Sequence, residues 1–192
     1  MRACLKQLMF IVALAAFFGF TGVIQAQPLK TNDLNLAKSG TLQVITPTNW
    51  TAKYVGMNQP DQEPMFDLRA PSNTLVIRLY VRWDGFGGKS ARPDLAEMGT
   101  IVSNSVVTQY LTRTVEKTFD LEKLQGRAVT GIYARVTDAK WNPLEEDTYR
   151  NVCEGMFRSG NIWGNFNLLT NDKDGPGFKA GMKVLESLHR KP

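Results

Sequence analysis

The chain has 192 residues, of which 43% are hydrophobic and 21% are charged, with two cysteines and one histidine. This length and composition predict one globular domain and exclude a collagen, a coiled coil, a disulfide-rich scaffold and a wholly disordered chain. They are typical of a soluble globular protein and do not by themselves specify an activity.

Residues 1–26 have the pattern of a secretory signal peptide. Two basic residues give a positively charged start, an uncharged and mostly apolar run covers residues 8–20, and Ala26 is a small residue at the cleavage position. We expect cleavage directly after Ala26, and hence a periplasmic or secreted protein without a stable membrane span. The alternative is an uncleaved anchor, because residues 8–24 reach the minimum of about 17 apolar residues that can cross a bilayer.

Cleavage at this point removes 26 of the 192 residues and leaves 166, with Cys153 as the only cysteine. An internal disulfide is then impossible, so the burial of apolar surface must stabilise the fold. A domain of about 150 residues buries roughly 70% of its unfolded surface, so the length suffices. The loss of Arg2 and Lys6 lowers the formal net charge from +5 to +3. This charge is too small to indicate binding to nucleic acid or to a strongly anionic membrane.

Residues 27–40 are polar and show no sustained hydrophobic period. We interpret them as a lead-in segment or a short turn that precedes a single domain over residues 41–192. The clearest strand covers residues 74–83, where apolar and polar side chains alternate over ten positions rich in β-branched and aromatic types. Shorter alternating segments predict three earlier strands, at residues 41–47, 52–57 and 65–70.

Two helices are predicted in the second half of the chain. The first begins near Pro93 and Asp94, which suit a helical first turn, and its apolar residues recur at helical spacing until about Arg113. The second covers residues 178–188. Two hairpins are predicted between them, at residues 119–124 with 128–139 and at residues 149–158 with 161–170. Runs of strands with only two helices predict an α+β sandwich, with a largely antiparallel β-sheet flanked by two main helices.

The catalytic and metal-binding patterns in this sequence are incomplete. A lone His189 and a lone Cys153 cannot form a catalytic triad or a zinc site within one chain. We expect His189 to be solvent-exposed at a helix end and Cys153 to be buried in a strand. Residues 83–90 end like a phosphate-binding loop but lack its first glycine, so we interpret them as a strand-to-helix connection. We therefore predict no metal, no cofactor and no enzymatic activity.

Three aromatic residues, Trp83, Phe86 and Trp141, lie at predicted strand ends or beside turns. Aromatic anchors beside polar loops suit a binding surface, and we predict that these three side chains share one rim that binds a partner. The competing interpretation is that they belong to the hydrophobic core, as most tryptophans in a domain of this size do.

Two other functions remain open from the sequence. The first is a hydrolase that uses Glu145, Glu146 or Asp147, because the hydrolysis of glycosidic bonds requires two carboxyl groups about 5–9 Å apart. The second is a carrier of a small ligand, which requires a closed apolar cavity of at least about 300 Å³.

Two short segments resemble a known family. One is LQVITPTNW at residues 42–50, a strand that closes with Pro47 and Trp50, and the other is VLESL at residues 184–188, at the end of the last helix. Together with the central order of strand, helix and hairpin, these segments resemble the PsbP-like superfamily over residues 41–190.

The resemblance implies an α/β/α sandwich and an exported, non-enzymatic accessory or assembly protein. Members of that superfamily mostly bind or stabilise partners, so the expected partner is another envelope or secreted protein. They share no catalytic residues that could be carried over to this chain. The glycine-rich loop at residues 85–88 and the charged loop at residues 145–147 depart from the family pattern and leave the particular partner unassigned.

Overall fold

A computed structural model describes residues 27–191 of the chain, except residues 37–38, 57–62, 87–90 and 146–147. The predicted signal peptide lies outside the described residues. Within these ranges the chain forms ten strands and two helices, and each strand pairing is antiparallel.

The strands form two sheets. The smaller sheet consists of β1 (Leu29–Asn35), β2 (Thr41–Pro47) and β10 (His189–Arg190), in the order β1–β2–β10. The larger sheet consists of β3 (Thr51–Tyr54), β4 (Met65–Arg69), β5 (Leu75–Trp83), β6 (Leu121–Gln125), β7 (Thr130–Thr137), β8 (Asn151–Ser159) and β9 (Ile162–Thr170). Its strand order is β3–β4–β5–β9–β8–β7–β6. The helices are α1 (Leu95–Tyr110) and α2 (Pro176–Glu186).

Helices cover both faces of the larger sheet. The helix α2 and the smaller sheet lie on one face, where their apolar side chains share a core with Phe157, Phe166 and Leu168. The helix α1 packs on the opposite face over β7 and β8, and Met98 and Val102 contribute to its core. The predicted α+β sandwich, with a largely antiparallel sheet and two flanking helices, is confirmed.

The start of α1 is fixed by a reciprocal pair of hydrogen bonds. The Glu97 main-chain N–H donates to the Asp94 carboxylate, and the Asp94 main-chain N–H donates to the Glu97 carboxylate, each at 2.9 Å. This capping box satisfies two main-chain donors that have no partner within the helix. The start of α2 uses Asp172 instead, whose carboxylate accepts the N–H groups of Gly175 at 2.6 Å and Gly177 at 2.9 Å.

The structure corrects the interpretation of residues 27–40, which contain the strand β1 rather than only a lead-in segment or a turn. The strand pairs with β2 along its whole length, from Leu29 opposite Pro47 to Asn35 opposite Thr41. Leu34 is 3% exposed and packs in the core, while Leu29, Thr31, Asp33 and Asn35 on the outer face are exposed. The hydrophobic alternation of residues 29–35 is a weak signal because this edge strand buries few of its side chains.

The structure also corrects the expectation for His189, which is not an exposed residue at a helix end. The helix α2 ends at Glu186, and His189 pairs with Gln43 in the smaller sheet. Its ring atom Nε2 lies 2.8 Å from the Gln43 amide oxygen, and Nδ1 lies 3.1 Å from the carbonyl oxygen of Ser187. The expectation was wrong because residues far apart in sequence form this strand.

A close approach between β5 and β9 depends on the absence of a side chain at Gly164. A Cβ atom at this position would lie 1.9 Å from the carbonyl oxygen of Tyr80 on β5. Real atoms do not approach so closely, so any larger residue would push the two central strands apart. By contrast, a Cβ atom on Gly99 in α1 would meet only a Leu121 methyl group, at 3.4 Å.

We predict that Gly164→Ala lowers the free energy of unfolding by about 2 kcal/mol or more, because the main chain must move to admit the methyl group. Urea denaturation measures this change. The matched control Gly99→Ala should leave stability unchanged or raise it, since alanine favours a helix over glycine by about 1 kcal/mol. Equal losses in the two variants would contradict the prediction.

Glu116 follows the end of α1 in sequence, and its carboxylate connects three separate segments of the chain through hydrogen bonds and an ion pair. Its carboxylate accepts the main-chain N–H and the hydroxyl of Thr137 on β7, both at 2.7 Å, and pairs with Lys173 at 3.0 Å. Burial alone would raise the pKa of Glu116, but these contacts and a hydrogen bond from Thr114 outweigh it and hold the pKa at about 2.

Because this pKa lies below the usual value of about 4.3 in an unfolded chain, Glu116 stabilises the fold above pH 5 and loses that contribution as the pH falls toward 2. We predict that Glu116→Gln lowers the free energy of unfolding by about 1–2 kcal/mol at pH 7. The difference from the unmodified chain should shrink steadily between pH 5 and pH 2 in urea denaturation. A difference that stays constant over this range would contradict the assignment.

Candidate functional site

Two of the three aromatic residues predicted to bind a partner lie together. Trp83 is the last residue of β5, where it pairs with Ile162 at the start of β9. The Phe86 ring packs edge-on against it, with ring centroids 4.7 Å apart and an interplanar angle of 77°. Trp83 also packs partly against the core of the larger sheet, so it contributes to both the surface and the interior.

The third residue, Trp141, lies at the other end of the larger sheet. It follows Thr137, which pairs with Asn151, and Asn151 in turn pairs with Thr170 at the end of β9. Trp83 is beside the first residue of the nine-residue strand β9, so the two ends are roughly 26 Å apart at about 3.3 Å per residue. The prediction of one rim shared by all three side chains is therefore wrong.

The Trp83 end of the sheet borders a groove of about 500 Å³. Its aromatic residues are Tyr54 of β3, Phe66 of β4 and Trp83 of β5, and the Tyr54 and Phe66 ring centroids are 5.4 Å apart. Phe66 is only 4% exposed, whereas Tyr54 is 49% exposed. We call this feature the β1–β3 groove, because those two strands form its long sides.

Runs of consecutive residues line both long sides of the β1–β3 groove. Five consecutive residues of one side line it, 32–36, and three consecutive residues line the other, 52–54. Successive side chains of a strand point to opposite faces. A run of consecutive lining residues therefore means that the strand edge, and not one set of side chains, faces the groove.

The sequence analysis did not identify β1, Tyr54 or Phe66 as parts of a site. Leu34 and Leu36 are spaced two apart, which is a weak signal for a strand, but polar neighbours surround them. The predicted strands at residues 52–57 and 65–70 did contain both aromatic residues. No local pattern indicated that these strands would border β1.

Several charged side chains on the α1 side of the larger sheet are engaged in contacts within the fold. The Asp67 carboxylate accepts Nε of Arg78 at 2.8 Å and pairs with Arg69 at 2.9 Å. Burial opposes ionisation of Asp67, but the two guanidinium groups lower its pKa. Glu154 is 8% exposed and accepts a hydrogen bond from the Ser105 hydroxyl of α1. Burial raises the pKa of Glu154, and the Ser105 hydrogen bond offsets this only in part.

Cys153 is 2% exposed, as expected for a small apolar residue in a strand. Burial raises the pKa of its thiol, and the nearby Glu122 carboxylate raises it further. A thiol becomes a strong nucleophile when its pKa is lowered, so this environment disfavours reactivity.

The carboxylates of the alternative hydrolase are only partly within the described residues. Glu146 and Asp147 lie outside them, and Glu145 is exposed, with its Oε1 accepting the Asn142 amide at 3.3 Å. Gly87, Gly88 and Lys89 of the loop that resembles a phosphate-binding loop also lie outside the described residues. Within the described ranges, no group of three or more His, Cys, Asp or Glu side chains is arranged to hold a metal ion.

Neither of the two helices in the described part of the chain has the length and apolar character that crossing a lipid bilayer requires.

No protein-family model matches the sequence, and no curated protein matches it either. Among solved structures, the solution structure of cyanobacterial PsbP (CyanoP) from Synechocystis sp. PCC 6803 is similar, with a TM-score of 0.52 and 13% identity over 91% of this chain and 99% of that chain. A crystal structure from Bacteroides thetaiotaomicron aligns with a TM-score of 0.42 and 14% identity, over 79% of this chain and 45% of that chain. The CyanoP comparison shows that this chain has a PsbP-like fold.

Proposed function

We propose that this chain is an exported, non-enzymatic accessory protein that binds a partner protein of the cell envelope or the extracellular space in the β1–β3 groove. The observation that carries the proposal is the groove itself, which measures about 500 Å³ and combines three aromatic side chains with two strand edges. Aromatic residues that are partly exposed in a concave surface are typical of binding sites.

The chemistry of the described side chains supports a binding role over a catalytic one. The buried thiol of Cys153 is held in its unreactive protonated form, and Asp67 is neutralised by two arginines. The resemblance to the PsbP-like superfamily supports the same role, because its members mostly bind or stabilise partners.

A small-ligand carrier is the second candidate, since about 500 Å³ lies within the range of about 300–1,000 Å³ found for small-molecule sites. Tyr54, on one side of the groove, is 49% exposed, so a ligand there would remain in contact with solvent. This exposure favours a protein partner that covers the groove from outside.

Export supplies the first test. We predict that the protein recovered from the periplasm or the culture medium begins at Gln27, because the signal peptide is cleaved after Ala26. N-terminal sequencing measures this directly. A protein that retains Met1 and sediments with membranes would support the anchor instead.

Site-specific photo-crosslinking supplies the second test. We predict that p-benzoylphenylalanine in place of Tyr54 forms a covalent adduct with one partner protein in intact cells, because this side chain is exposed at the groove. The control position is Leu144, which is 90% exposed and lies in the loop after Trp141. Mass spectrometry of the adducts identifies the partner and the crosslinked segment.

The proposal requires that the adduct forms from position 54 and not from position 144. Tyr54→Ala should weaken capture of the same partner, while Trp141→Ala at the far end of the sheet should not. No adduct from position 54, or the same adducts from both positions, would contradict the groove as the binding site. A small molecule that copurifies with the protein in place of any adduct would support the carrier.

A further inference from the structure

We propose, on the basis of the function proposed above, that the partner occupies the β1–β3 groove as an extended strand, which forms main-chain hydrogen bonds with β1 and β3 at once. The inserted strand would join the smaller and larger sheets into one continuous sheet. The proposal rests on the direction in which the main-chain groups of the two edge strands point.

The strand β3 directs alternate main-chain groups into the groove. In an antiparallel pair, residues alternate between those that bond to the partner strand and those that point away from it. The Val55 N–H donates to the Met65 carbonyl oxygen at 2.9 Å, so Lys53, two residues earlier, also bonds toward β4. The N–H and C=O groups of Ala52 and Tyr54 therefore point away from β4, toward the groove.

The same reasoning applies to β1. The Leu36 N–H donates to Gly40 at 2.9 Å, and the Thr48 N–H donates to Pro28 at 2.9 Å. Even-numbered residues of β1 therefore bond to β2, and the N–H and C=O groups of odd-numbered residues such as Thr31 and Asp33 point away from it. In the described structure β1 and β3 are the edges of their sheets.

The proposal requires that the two edges run in the same general direction, and two contacts support this: Lys30 Nζ donates to the Trp50 carbonyl oxygen at 2.6 Å near the start of both strands, and later residues of both line one groove. The strand β1 starts beside Pro47, at the corner where β2 ends, and β3 starts just after a turn closed by a hydrogen bond from the Trp50 N–H to the Pro47 carbonyl oxygen, at 3.1 Å. Both strands therefore leave one corner. A single inserted strand can be antiparallel to both of them.

An extended polypeptide is the occupant whose chemistry matches these walls. It carries donors and acceptors alternately on both sides, which a small apolar ligand does not. Alternate side chains of such a strand would face Leu34, Phe66 and Trp83, so we expect apolar residues at every second position.

The charges beside the groove favour a neutral or weakly acidic segment. The Asp33 carboxylate is already paired with Lys191 at 2.9 Å and accepts the Gln43 amide at 2.6 Å. Lys53 has no ion-pair partner among the described residues, so one positive charge stands at the β3 edge. A basic segment would meet this charge without compensation.

The test uses a phage-displayed library of random heptapeptides, selected on the exported chain. We expect the selected peptides to alternate apolar and polar residues. Their affinity for Ala52→Pro should be at least about tenfold weaker, because proline removes one groove-facing N–H and its ring blocks the edge. The matched control Ala52→Val keeps the N–H and should bind within about twofold. Fluorescence anisotropy with a labelled peptide measures both.

Backbone N-methylation of the selected peptide distinguishes one edge from two. If the strand pairs with both β1 and β3, methylation at every interior position should weaken binding at least about fivefold, since each N–H then has a partner. If N-methylation weakens binding only at alternate positions, the peptide pairs with one strand edge alone. The proposal that the peptide joins the two sheets is then overturned.

Thermal unfolding shows whether Ala52→Pro folds. If it does not, the pair Asp33→Pro and Asp33→Val repeats the comparison at a β1 residue that lines the groove. Failure to select any peptide, or equal binding by the proline and valine variants, overturns strand insertion. A partner crosslinked from position 54 that binds Ala52→Pro normally leaves the proposed function intact and overturns only this inference. Loss of the crosslink itself overturns the proposed function.

Discussion

The fold depends on the burial of both faces of the β8–β9 hairpin. All residues of β8 except Arg158 are buried, so side chains that point to either face must be apolar or satisfied by a partner. Two separate helices meet this requirement, α2 with the smaller sheet on one face and α1 on the other. The buried polar residues of β8 are Asn151, Glu154 and Ser159, and their hydrogen-bond partners are Thr137, Ser105 of α1 and the main-chain N–H of Arg190. The main chain of β9 can approach β5 closely only because Gly164 lacks a side chain.

Burial decreases from this centre toward the edge of the sheet. The strand β5 is largely buried, β4 is buried in its middle, and all four residues of β3 are exposed. The β1–β3 groove lies where this decrease meets the smaller sheet. The same architecture therefore provides a rigid support at the centre and accessible main-chain groups at one edge, which is the combination that strand addition to a sheet uses.

Local sequence patterns were sufficient for elements that are buried on a regular period. The alternation over residues 74–83 predicted β5, and the helical spacing after Asp94 predicted α1. Local sequence patterns did not predict the elements that form through pairing between residues far apart in sequence. Residues 29–35 form the strand β1 because they pair with β2, and His189 lies in a strand because it pairs with Gln43. The prediction of one aromatic rim was wrong for a related reason. The strands β5 and β7 end at opposite ends of the sheet, which separates Trp141 from Trp83, while Phe86 is close in sequence to Trp83 and packs beside it.

The smaller sheet combines the first and last parts of the described chain. The strand β2 lies between β1 and β10, and the Ser187 hydroxyl accepts the main-chain N–H of Ile45, 142 residues away in sequence. Contacts between residues so far apart in sequence add to the loop-closure cost and slow folding. A chain that is synthesised from its N-terminal side therefore cannot complete this sheet until residues 189–190 are available to pair with β2.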